Sequence, residues 1–385
     1  MSGPALAAIL CTALTLAPVP DRAPQGAPLM TRPLPGGCTD GPLACYNALV
    51  DAYMAGNDDR SVGLLLEWDW TDVVPLLEWD PRAIGERKTC DTWYDRHHPW
   101  DARRYAAAVM LHTDAAFRLS YQMTTAEAAR HLDLATRHIA RGLALRREGV
   151  REIGQRWFVA VARCLRDRPA VPAAASLLKL GRERLPMDPA VLVESGILAE
   201  SIAAYLLDSG ELFVGRNRGP GDLDSGRAFE LRQGQLNEAA TWLRQAVDVD
   251  PSNDAARLHL GRVLFLRMED EESLRVLREV AETSKVEANA YLASLFSAAV
   301  HHRAGRLDEA ARSYSAAVAR WPAAPAAYLG LSEALQGMRK GDESREILGT
   351  LLALRSPDDP FWLYLFDQPG VADRRLGELR SEVRR

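Results

Sequence analysis

From residue 102 onward, apolar side chains recur three and four positions apart with polar residues between them, the spacing of helices that bury one face. Residues 102–121 and 125–145 read as the first such pair, with Ala128, Leu132 and Ala135 on the buried stripe of its second helix. The most regular block runs from Gly305 to Pro322. There Ala310, Tyr314 and Ala317 set a small, an aromatic and a small residue on one face, and Pro322 stops the helix.

The same slots refill at a fixed interval. Thirty-four residues on they hold Ser344, Leu348 and Leu351, with Pro357 one place late; 37 residues upstream they hold Ser273, Leu277 and Val280. A further 34 back stand Ala239, Leu243, Ala246 and Pro251. Each of these helices follows a partner with its own pattern: Leu260-Gly261 and Leu264 before Ser273, then Tyr328, Leu331-Ser332 and Leu335 before Ser344. The small residue after the leucine admits the second helix closely. Phe158, Val161-Ala162, Leu165, Ala174, Leu178, Gly181 and Pro186 complete one unit, and Leu192, Ser195-Gly196 and Ala199 begin its successor. That successor's second helix arrives 65 residues after Ala174. The excess places an insertion at about 207–233, rich in glycine and turn-like around Pro220.

A helix pair repeating at 34 residues with these residue types resembles the tetratricopeptide repeat (TPR), over about residues 102–354 and most densely from 235. The resemblance implies an all-α fold, a TPR-type helix-turn-helix solenoid with an irregular helical N-terminal cap. The chain then divides into a signal peptide at 1–17, a Pro-rich linker at 18–37, a Trp-rich helical cap at 38–101, the solenoid at 102–354, and an aromatic segment with a solvated capping helix at 355–385. The chain also resembles exported bacterial TPR proteins ending in an Asp-Pro-aromatic segment. Here that segment is Asp359-Pro360-Phe361-Trp362 with Tyr364, read as an apolar plug over the last pair.

Composition narrows the function. Net charge is −5, which argues against a nucleic-acid binder working through a global positive field. No apolar run is long enough to span a membrane. Ala5–Leu16 is an uncharged stretch of the length of a signal-peptide core, predicting export to a bacterial periplasm or envelope; without it the chain is cytoplasmic. Basic residues are nearly all arginine, the bias of a GC-rich bacterial gene. The cysteines form no CxxC; Cys38 and Cys45 either pair in an exported chain or remain free thiols.

Catalytic motifs are missing: there is no phosphate-binding loop, no nucleophile elbow around Gly330-Leu331-Ser332 and no HExxH. The reading is therefore non-enzymatic, with no cofactor and no metal. His131 and His138 lie seven apart on one helix face and read as solvated. The unusual neighbourhood is 66–114, which holds Trp68, Trp70, Trp79, Trp93 and Trp100. It reads as an aromatic mini-core, with a metal or ligand pocket of His97, His98, His112 and Asp114 as the alternative; the adjacent histidines point apart on a helix.

Function then falls to a concave groove. In TPR arrays the first helix of each pair lines it, and the family's groove offsets imply Arg156, Val159, Arg163 and Arg166 in the first complete unit. Further along they imply Leu258, Arg262, Phe265 and Leu266, then Leu295, His302 and Arg303, then Leu329, Glu333 and Gln336. Arginines beside apolar side chains suit a protein or peptide partner carrying acidic residues. The Lys/Asn clamp that some family members use on acidic chaperone tails is missing at these offsets.

Overall fold

The computed structural model describes residues 42–67, 100–121, 125–144, 148–167, 170–212, 225–354, 358–364 and 371–384. Every regular element among them is helical, and helix-turn-helix pairs follow one another, near the 34-residue period from Asp254 onward, an all-α solenoid. The chain forms two compact units, 1–186 with 370–385, and 187–369.

In the first unit α1 (Pro42–Met54) and α2 (Asp58–Glu67) pack on α3 (Ala102–Tyr121), which pairs with α4 (Thr125–Ala144). Then α5 (Val150–Asp167) and α6 (Val171–Arg184) form the next pair. The α4 stripe of Ala128, Leu132 and Ala135 is buried as its spacing predicts. Trp157 of α5 is wholly buried and donates its indole N–H to Thr113 Oγ1 at 2.8 Å, which satisfies the one polar atom it brings inside. Trp68, Trp70, Trp79 and Trp93 of the Trp-rich stretch lie outside the described residues, and Trp100 stacks on Tyr46 and His138. Cys45 is buried and disulfide-bonded, Cys164 is buried within α5, and Cys38 lies outside the described residues.

The second unit contains α7 (Pro189–Leu212) with α8 (Ser225–Val249), α9 (Asp254–Leu266) with α10 (Asp270–Thr283), α11 (Glu287–Arg303) with α12 (Leu307–Arg320), and α13 (Pro325–Gly337) with α14 (Gly341–Leu352). The small slots do what their spacing implies. A Cβ on Gly261 would stand 2.5 Å from Leu277 Cδ2, so the α9–α10 crossing depends on its absence. Ser273 and Ser344, which share a slot, each turn the hydroxyl onto a backbone carbonyl of the paired helix: Gly261 at 2.7 Å and Ser332 at 3.1 Å. The turns inside these pairs also repeat. Met268, Gly305 and Arg339 all take positive φ, and the next residue's N–H reaches back to the carbonyl of Leu264, His301 or Leu335.

Two expectations change. Helix occupies part of the predicted insertion, since α7 continues to Leu212 and α8 starts at Ser225; residues 213–224 lie outside the described set. Isolated glycines such as Gly210 and Gly226 cost a helix about 1 kcal/mol each and do not end it. At the other end, α15 (Val371–Arg384) is no solvated cap. It belongs to the first unit, packs on α3 and α5, and buries Leu376 and Leu379. The Leu376/Leu379 spacing supplies a narrow apolar stripe between the arginines.

Candidate binding groove

The first helices of the second unit, α7, α9, α11 and α13, are successive neighbours. Across them lies the chain's own segment Asp358–Tyr364, which contains a short 3-10 turn at Pro360–Leu363. Two side chains anchor it. Asp359 is buried; its Oδ1 accepts from the Tyr291 hydroxyl at 2.9 Å and its Oδ2 from the Ala326 N–H at 2.8 Å. Ala326 is in the first turn of α13, whose preceding residue Ala324 has no side-chain acceptor to offer. A remote carboxylate thus supplies the missing cap and meets the positive end of the helix dipole.

Tyr364 is the second anchor. Its ring stacks on His259 at 4.6 Å and meets the Phe296 edge at 5.0 Å, with the Arg262 guanidinium 4.9 Å from its centroid. Its hydroxyl donates to Glu200 Oε1 at 3.2 Å. Glu200 is fully buried, yet it accepts from Arg262 at 2.6 Å and lies 2.7 Å from His259 Nδ1. Burial pushes the Glu200 carboxyl up, but His259 and Arg262 outweigh it and hold the group below its ordinary value. Burial, followed by the Glu200 charge, raises the Tyr364 phenol well above its usual range. At neutral pH the seat is an ion pair capped by a neutral phenol. None of these groups is poised as a nucleophile.

The residues implied by the repeat offsets divide sharply. Leu258 and Leu295 are buried in the helix packing, as are Val159 and Arg166 in the first unit, and these four offer little accessible surface. Arg156 gives both guanidinium nitrogens to Glu382 of α15, at 2.7 and 2.9 Å, and Arg163 is half-buried. Arg262 is committed to Glu200 beneath Tyr364. Phe265 and Arg303 come together: the guanidinium stands 4.0 Å from the ring and also holds Asp270 and the Phe265 carbonyl. Leu266 is half-buried, and His302 presents its ring to Tyr314. Leu329, Glu333 and Gln336 are exposed along α13, with Gln336 donating to Ser344 Oγ at 3.2 Å. The offsets miss Glu200, His259 and Tyr291. A carboxylate and an imidazole inside apolar first helices were the available signal. The predicted plug covers more than the last pair: Asp359 bonds α11 and α13, while Tyr364 reaches back to α7 and α9.

In the first unit, the alternative ligand set does not assemble from its described members. His112 Nε2 is 3.0 Å from the Tyr46 hydroxyl and its Nδ1 is 3.0 Å from His131 Nδ1, whereas Asp114 accepts from Tyr53 at 2.6 Å and from Arg380. His97 and His98 lie outside the described residues. Nor are His131 and His138 solvated: both are buried, and His138 Nε2 is 2.8 Å from the same Tyr46 hydroxyl. Burial lowers all three imidazoles, with His131 brought to about 4 and His138 to about 3; Arg130 and Arg141 respectively add to the effect. The set is a neutral hydrogen-bonded core.

Residues 301–363 match the tetratricopeptide repeat family, and residues 230–266 match a second TPR repeat family. No curated protein matches the chain in sequence. Among solved structures, the crystal structure of MamA protein is similar at 18% identity, over 52% of this chain and 90% of that one, with a TM-score of 0.39. MamA from Desulfovibrio magneticus RS-1 is 15% identical over 52% of this chain and 94% of that one, with a TM-score of 0.40. A monomeric mutant of IFIT1 is 15% identical over 77% and 68%, with a TM-score of 0.38. At these scores the three structures say nothing about a partner.

Proposed function

The chain carries tetratricopeptide repeats, and from that premise we propose a non-enzymatic scaffold that holds a protein or peptide partner against the first helices of its second unit. One observation carries this reading. The face made by α7, α9, α11 and α13 already receives a short peptide segment, Asp358–Tyr364, through directional bonds to Glu200, Tyr291 and Ala326. Donors placed to meet a short segment support a role for this face in peptide recognition. The Tyr291 hydroxyl and Ala326 N–H favour partners that present a carboxylate, and the chain's net charge of −5 disfavours nucleic acid. The Cys45 disulfide supports export to an oxidising compartment. Nothing favours a metal site of His97, His98, His112 and Asp114, because His112 and Asp114 are bonded to different groups.

The test uses exposed residues of the same face. Leu329→Glu combined with Glu333→Arg leaves the buried anchors intact. The full chain so altered should keep its melting temperature within about 2 °C and lose at least tenfold in affinity for a partner captured from the native host. Undiminished capture would move the binding face off these helices.

A further inference from the structure

The segment lying on the first helices has chemistry that identifies what the groove takes. Resting on the scaffold reading, we propose that the second unit recognises a short turn carrying an aspartate at one end and a tyrosine five residues later, and that the chain's own Asp359–Tyr364 occupies the site as an intramolecular competitor. A partner bearing the same Asp-Pro-aromatic-aromatic-x-Tyr chemistry binds by displacing it.

The contacts distinguish a seated ligand from a piece of core. Both anchors are polar and directional: Asp359 meets Tyr291 and Ala326, and Tyr364 meets Glu200. Between them Phe361 and Trp362 stay 39% and 58% exposed, where a core segment would bury its two largest apolar side chains. The seat is also complete without its occupant. Glu200 keeps Arg262 at 2.6 Å and His259 at 2.7 Å whether or not the Tyr364 phenol is present, so departure of the segment strands no buried charge. At the other end, departure uncovers the Tyr291 hydroxyl and the Ala326 N–H, a donor pair facing the groove that a second carboxylate can satisfy. Among the described residues, the backbone beside these anchors also bonds α13's approach, from the Asp358 N–H to the Ala323 carbonyl at 3.0 Å. Attachment within one chain gives the resident segment an effective concentration in the millimolar range. A partner therefore needs either tighter contacts, through an aromatic pair that Phe361 and Trp362 leave exposed, or several linked copies.

The test compares the full chain with its Asp359→Ala, Tyr364→Ala double variant. The probe is a fluorescently labelled synthetic peptide with the sequence of residues 358–364, followed by anisotropy. The double variant should bind the peptide at least tenfold more tightly than the unaltered chain, and a peptide with alanine in place of both anchors should lose at least tenfold. A folded double variant that ignores the peptide, or equal binding by both proteins, overturns the proposal. So does a concentration-dependent dimer of the unaltered chain that vanishes in the double variant, since the segment then serves a second copy. If the double variant fails to fold by circular dichroism, amide exchange on the unaltered chain decides. Trp362, Tyr364 and Ala326 should exchange through an opening that leaves the α11 core protected; protection equal to that core makes the segment structural and overturns the proposal. A chain that loses its captured partner on alteration of Leu329 and Glu333, yet never binds the peptide, sinks this inference and leaves the scaffold reading standing.

Discussion

Arg380 grips Asp114 across 266 residues of sequence, with Nε 3.0 Å from Oδ1 and 3.1 Å from Oδ2, while the Tyr53 hydroxyl donates to the same carboxylate. Together with Arg384 on Asp58 and Glu382 on Arg156, it ties the last helix of the chain to α2, α3 and α5. Both members of the Arg380–Asp114 pair are less than a third exposed, so solvent screens them only in part. Arg380→Ala should cost the first unit about 2 kcal/mol by leaving a partly buried carboxylate with one donor. Urea unfolding followed by tryptophan fluorescence measures it. A loss below about 0.5 kcal/mol, the scale of a surface pair, would return α15 to the role of a loosely attached tail.

The buried imidazoles predict how the first unit responds to acid. Folding holds His131 near 4 and His138 near 3, and His112 is lowered as well, all below the ordinary value of 6.5. The unfolded chain therefore binds protons first, and stability is present in full above about pH 6.5 and is lost as pH falls toward the folded values. Each histidine contributes a slope of up to about 1.4 kcal/mol per pH unit. Between pH 6.5 and 5, above the range where carboxylates titrate, the unfolding free energy should fall, and His138→Gln should flatten the slope. A melting profile unchanged over that window would mean the cluster is hydrated or already charged.

The repeat was legible because it is local. Small and large residues such as Gly261 and Leu277 recur at helical spacing, and the structure packs them as that spacing demands. The groove's occupant was not legible as such. The contact between Tyr364 and Glu200 joins positions 164 residues apart and leaves no trace in any period. The histidines show the same limit. His131 and His138 do share one face of α4, as seven-residue spacing requires. What covers that face, Tyr46 and Trp100, comes from outside the repeat, so polarity alone pointed to solvent. The offset rule could not tell Arg262, held by Glu200, from Leu329, which is 49% exposed.

The repeated turn offers a stabilising change. Met268 and Arg339 hold φ of 66° and 62° at the slot where Gly305 holds 72°. A left-handed conformation costs a residue with a Cβ about 1 kcal/mol, and glycine avoids it. Both side chains project from the surface, so little packing is forfeited. Met268→Gly and Arg339→Gly should each raise stability by about 0.5 kcal/mol, whereas Gly305→Ala should lower it by about 1 kcal/mol. No neighbour lies within 4 Å of a Cβ at Gly305, so that loss would come from the backbone alone. Chemical denaturation of the three variants checks the signs. A stabilised Gly305→Ala would show that the turn relaxes to another conformation at no cost.

Arg262 gives the sharpest separation between a groove residue that contacts a partner and one that builds the seat. Its guanidinium bonds Glu200 Oε1 at 2.6 Å with the carboxylate fully buried, and it lies 5.6 Å from the Phe296 ring centroid as well as over Tyr364. Arg262→Glu would set a second carboxylate against the first. Breaking a buried pair costs about 3–5 kcal/mol, and like charges add to that, so the second unit should lose at least about 3 kcal/mol. Arg262→Met keeps much of the aliphatic packing and allows Glu200 to retain His259 or take a proton, so its loss should be smaller and should shrink further at mildly acidic pH. Leu329→Glu, on the exposed side of the same face, should change stability by less than about 0.5 kcal/mol. The three variants thus have a predicted order in urea midpoint, with Leu329→Glu highest and Arg262→Glu lowest. If Arg262→Glu matched the unaltered chain, the guanidinium would be free in solution and available to a partner, and the pairing with Glu200 would have to be given up.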